Sequence, residues 1–136
     1  MQVTQRRLPH FYAIGHPLFV TFRLYGSLPP GRYFGKDALK SGEAFVYMDR
    51  RLDRQTYGPR YLRMPSIAQL VASSIQRGGP GDYSCYAWVV MPNHVHLLIT
   101  PLTDVSELMR RLKGATAREA NKQLHRERRP FWQHES

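Results

Sequence analysis

With 136 residues, the chain can bury one substantial core but not two independent ones, so a single domain over residues 1–136 is expected. Twenty Lys and Arg against ten Asp and Glu leave a formal charge of +10, which favours polyanionic partners such as nucleic acid. No apolar run reaches the roughly 18–20 residues that span a bilayer, and "MQVTQRRLPHFYAIG" holds no signal-peptide apolar core, so a cytoplasmic protein without a membrane partner is expected. The single cysteine, Cys85, excludes an internal disulfide and a Cys-rich zinc site, which leaves His, Asp, Glu, Gln or Asn to hold any metal.

In chain order, "HPLFVTFRLYG" alternates, with Leu18, Val20, Phe22 and Leu24 on one face and Phe19, Thr21, Arg23 and Tyr25 on the other, the period of a half-buried strand. "GSLPPG" (26–31) is a turn or loop. From about Asp37 to Leu52 a helix is expected, with Leu39, Val46 and Leu52 on its buried side and Gly42 weakening it. "PSIAQLVASSIQR" places Ile67, Leu70, Val71 and Ile75 at helical spacing, with Pro65 at its start and Gly78 past its end. "YSCYAWVV" and "HVHLLIT", separated only by "MPN", read as an antiparallel hairpin. Asp104 and Glu107 then form a capping-box pattern ahead of a basic helix, continuous or broken near Gly114, whose apolar side carries Val105, Leu108, Met109 and Leu112. Strand, helices, strand, strand, helix implies an α+β fold, an antiparallel sheet with helices on one face.

Within the hairpin, His94, His96 and Leu98 share one face of a strand while Val95, Leu97 and Ile99 share the other. Imidazoles two residues apart on one strand stand close enough to share a divalent ion, with the apolar face anchoring them from behind. Two ligands alone make an incomplete metal site, and an H-x-H in a strand can equally be one core histidine and one solvated one. The preceding apolar strand, the Pro92–Asn93 corner and the following basic helix make the pattern more specific than the three residues themselves.

"WVVMPNHVHLLITP" resembles the signature of the HUH-type tyrosine transposases, in particular the REP-associated tyrosine transposases and the single-strand insertion-sequence transposases. "LPHFYAIGHPLFVTFRLYGSLP", "DRQTYGPRYLRMPSIAQLV" and "LKGATAREANKQL…PFWQHES" resemble further recurrent segments of that family, so the likeness runs along nearly the whole chain. It implies a ferredoxin-like α+β domain in which His94 and His96 bind Mg²⁺ or Mn²⁺, and a tyrosine on the following helix attacks a phosphate of single-stranded or hairpin DNA. A third metal ligand is implied one helical turn beyond the tyrosine; Glu119 is the best candidate, with Asn121 and Gln123 weaker ones. Some relatives work as dimers and others as monomers, so the resemblance leaves a homodimer open.

This chain departs from the pattern at the nucleophile. All eight tyrosines, Tyr12 to Tyr86, precede the histidine pair, and Ala115 and Thr116 occupy the positions where the phenol is sought. Alanine has no nucleophile, and threonine is a poor one without an activating base. Tyr86, on the neighbouring strand, reads as a packing or stacking residue. Relatives usually continue past a segment like "FWQHES", often with a tyrosine, so a missing C-terminal segment is expected. The readings left open are a strand-transferring enzyme, a catalytically inactive nucleic-acid-binding module, and a metal-dependent phosphodiesterase using water.

From Arg110 onward eight cations face three acids, a net +5. Arg110, Arg111, Lys113, Arg118 and Lys122 are the expected DNA contacts, although a charge run of this kind is also what a solvated helix face looks like. Phe131 and Trp132 are expected to close the core rather than to stack on bases.

Overall fold

The computed structural model describes residues 14–27, 50–54, 58–78 and 81–134. Strand β1 (Leu18–Arg23) is followed by a 3-10 turn (Tyr61–Arg63), helix α1 (Pro65–Arg77), strands β2 (Tyr83–Val90) and β3 (His94–Pro101), and helix α2 (Val105–Gln123). Most of the helix expected over 37–52 lies outside the described residues; residues 50–54 are helical and Leu52 is buried.

The sheet has the order β1-β3-β2, with β3 antiparallel to both neighbours. This is a split β-α-β arrangement, within the α+β class that the order of elements predicts and consistent with the ferredoxin-like domain that the resemblance implies. β3 is central because its Val95, Leu97 and Ile99 can be buried on one side while both of its edges are paired. Those three residues join Phe22 and Leu24 from the first strand, Ile67, Val71 and Ile75 from α1, and Leu108, Leu112 and Ala120 from α2 in one core. Helices α1 and α2 therefore cover the same side of the sheet. On the other side, Phe19 and Leu98 are exposed and His96 is half-buried.

Local chemistry sets the ends of the elements. Pro65 opens α1, where a missing N–H costs nothing. Gly78 follows its last turn, and a Cβ there would coincide with the Tyr83 hydroxyl, which donates to Ile75 O at 2.7 Å and ties β2 to α1. Asp104 caps α2 by accepting from Glu107 N at 3.1 Å, but the Glu107 carboxylate turns to Arg110 and Arg111, so the reciprocal half of the box gives way to ion pairs. The helix runs unbroken through Gly114. It ends in a left-handed turn at His125 (φ 57°), with Arg126 N donating to Asn121 O and His125 N to Lys122 O, a Schellman closure on a non-glycine residue.

The chain then crosses back over the core. Phe131 and Trp132 are buried, as expected, and Trp132 stands edge-on to Phe22 with ring centroids 4.6 Å apart. Trp132 also pairs with Leu24 beyond the end of β1.

Candidate metal and nucleic-acid site

Pleat geometry sends His94 and His96 to the same face, and the rings meet at 82° with centroids 4.8 Å apart. Their environments differ. His94, beside the hairpin corner, is fully buried, whereas His96 is half-buried and stacks on Phe19 with centroids 5.6 Å apart.

The corner residue determines what His94 can do. Asn93, itself 2% exposed, donates from Nδ2 to Leu52 O at 2.9 Å, which fixes the orientation of its amide. Its Oδ1 then lies 2.8 Å from His94 Nδ1 and can only accept, so Nδ1 carries a proton. Thr21 Oγ1 stands 2.9 Å from His96 Nδ1 and can play the same part across the β1–β3 ladder. Two neighbouring imidazoles, each engaged at Nδ1 by a side chain from its own flank, form a pair whose spacing suits a divalent ion.

The expected third ligand is not beside them. Among the described residues no three of His, Cys, Asp or Glu are grouped so as to hold an ion. Glu119 lies on the exposed side of α2, and α2 packs on the face of the sheet opposite the imidazoles. The expectation that His94, His96 and Glu119 meet is thus not realised within one chain: buried Leu108, Leu112 and Ala120 hold α2 to the other side of β3. Asn121 is also committed elsewhere, donating to Arg129 O at 2.7 Å and accepting from Arg126 Nη1 at 2.9 Å.

Thr116 has a structural task. Fully buried, it donates to Leu112 O at 2.8 Å and accepts from Trp132 Nε1 at 2.8 Å, pinning the C-terminal segment to α2. Ala115 is exposed, one turn before Glu119 on the same stripe.

The expected DNA-contacting cations divide into two groups. Arg110 pairs with Glu107, whose carboxyl that hydrogen bond holds below the usual range. Arg111 bridges Asp82 at 2.8 Å and Glu107 at 3.1 Å, and Lys113 donates to Gln133 O at 2.9 Å. Those three side chains tie α2 to itself, to the β2 entry and to the C-terminal segment. Arg118 and Lys122 are exposed on the outer side of the helix.

Sequence reasoning missed how Tyr86 is presented. The β2–β3 register slips between Cys85 and Ala87, which pair with Ile99 and Leu98, so Tyr86 is the extra residue of a β-bulge. The bulge leaves Tyr86 and Ala87 both exposed, and the Tyr86 hydroxyl lies 2.7 Å from Thr100 Oγ1. The double exposure is invisible to a strict two-residue period.

The fold and the paired histidines define an α+β domain with a two-imidazole strand site. Residues 74–136, which contain the hairpin, the pair and α2, match the family described as Transposase IS200 like. That likeness, over a little under half of the chain, supports assigning the stretch to the IS200-like, Y1-type transposases of the HUH class. No curated protein matches the chain. No solved structure matches it either.

Proposed function

We propose that this chain is a REP-associated type of transposase module that binds single-stranded or hairpin DNA in the cytoplasm and holds Mg²⁺ or Mn²⁺ at His94 and His96. One observation carries the reading: two imidazoles 4.8 Å apart on the sheet face away from α1 and α2, the buried one oriented by an amide that itself has no alternative orientation. A bound ion would supply charge stabilisation at a phosphoryl oxygen. The chain's own residues position the imidazole nitrogens, through Asn93 and Thr21, and attract the polyanion, through the excess of cations.

A third donor has to come from outside the pair. Glu119 is our candidate, reaching it from α2 of a second copy in a homodimer, since α2 of the same chain lies across the sheet. The attacking group is not supplied by α2, because Ala115 has none and the Thr116 hydroxyl is engaged in the core. α2 is therefore read as part of the DNA- and metal-binding module and not as the source of the nucleophile.

The test is incubation with a single-stranded hairpin oligonucleotide and Mn²⁺, with binding followed by anisotropy and covalent products by denaturing gel. Binding that weakens steeply with salt and Mn²⁺ uptake lost in His96→Ala are expected. Salt-independent binding or none would remove the nucleic-acid assignment. An adduct would show a nucleophile elsewhere in the chain, and cleavage without an adduct would indicate attack by water.

A further inference from the structure

The sheet face away from α1 and α2 has a composition that the metal pair does not explain. Around His96 it carries Phe19, Tyr86, Val89 and Leu98, exposed by 52%, 59%, 50% and 37%. The register sets them in adjoining rows: Phe19, Leu98 and Ala87 lie across the sheet from one another, with Thr21, His96 and Val89 in the next row. The bulge delivers Tyr86 to the row edge beside Thr100.

Exposed aromatic and aliphatic side chains on a sheet would ordinarily be a liability. Here none of the three described strands contains an Asp or Glu, and Arg23 stands opposite His94 at one end of the face. In a chain of net charge +10, an apolar, aromatic and acid-free surface is complementary to a ligand that is polyanionic along its backbone and flat and apolar along its other side. Unpaired nucleotides have that chemistry, and sheets with exposed aromatics bind them by stacking.

We infer that this sheet face is a stacking platform for unpaired bases, with Phe19 and Tyr86 as its two stacking side chains flanking the histidine pair. The inference rests on the DNA-binding reading above and adds to it where the bases, as distinct from the phosphates, are held. Phe19 already lies nearly parallel to the His96 ring, at 26°, and is half exposed, so it offers ring surface beside the histidine pair. Stacking by Tyr86 needs the ring and not the hydroxyl, since that hydroxyl is occupied with Thr100.

The experiment compares the full chain with Phe19→Ala, Tyr86→Ala and Tyr86→Phe. Each is titrated into a labelled single-stranded oligodeoxynucleotide, an abasic oligomer of the same length, and a duplex. Each Ala variant is expected to bind the single strand about 5- to 100-fold more weakly, with abasic and duplex affinities and the salt slope unchanged, while Tyr86→Phe binds as the parent does. Thermal melting verifies that these surface variants fold. Equal single-strand affinity in parent and Ala variants would overturn the platform and leave the DNA-binding reading standing; no binding by the parent would overturn both. Loss of self-association in the Ala variants on sedimentation, with DNA affinity kept, would assign the face to a second copy of the chain and also overturn the platform.

Discussion

Replacing Asn93 with Ala removes two hydrogen bonds from a residue only 2% exposed: its donation to Leu52 O and its acceptance from His94 Nδ1. A carbonyl and a ring N–H are then deprived of these partners. Each stranded group costs about 1–3 kcal/mol, so a loss of about 2–6 kcal/mol is expected, a fall in melting temperature on the order of 10 °C for a chain of this size. Urea denaturation reads this directly. The same change lets the His94 ring rotate and exchange tautomers, and removal of such an orienting partner lowers metal affinity about 10- to 100-fold. Asn93→Asp separates the two consequences. It keeps the acceptor for His94 but cannot donate to Leu52 O and brings a charge into a buried position, so it should be destabilised yet keep Mn²⁺ affinity when folded. Paramagnetic resonance titration of Mn²⁺ at a temperature where each variant is folded makes the comparison. If Asn93→Ala lay within about 0.5 kcal/mol of the parent, or bound Mn²⁺ equally well, the account of how the corner orients His94 would be refuted.

Four further outcomes are expected. Burial, then the neighbouring Cys85 and Asp82, pushes the Tyr83 phenol from 10.0 up to about 12, so the folded chain holds this proton more tightly than the unfolded one. Its contribution is complete below pH 10 and is lost as pH rises through 12; urea midpoints should fall more steeply over that window in the parent than in Tyr83→Phe. His125→Gly relieves a left-handed side-chain residue and should raise stability by about 0.5–1 kcal/mol in thermal melts, whereas an unchanged or lower value would argue against the Schellman closure. Thr116→Val keeps the volume but strands Trp132 Nε1, for a loss of about 1–3 kcal/mol in urea denaturation. Arg118→Ala with Lys122→Ala should reduce the salt slope of single-strand binding by about 0.7 for each phosphate no longer neutralised, while Lys113→Ala should mainly lower stability by releasing Gln133 O.

Much of the architecture could be read from periodicity, because side-chain period and burial are two views of one constraint. Alternation in "LFVTFR", helical spacing in "PSIAQLVASSIQR" and the short "MPN" link identified the first strand, α1 and the hairpin, and Asp104 and Gly78 marked helix ends through local hydrogen bonding. Likewise the common direction of His94 and His96 follows from the pleat alone.

What the amino-acid order determined by itself was therefore local: which residues form each element, which face is apolar, and that two imidazoles point the same way. Tertiary structure decided everything that depends on which side of the sheet an element packs. It set α2 and Glu119 across β3 from the histidines, spent Thr116, Asn121 and Lys113 on holding the C-terminal segment, and turned Tyr86 outward through a bulge. The physical reason is that an amphipathic helix specifies the stripe it buries but not which of two sheet faces receives it, and a bulge is a property of a strand pair rather than of either strand.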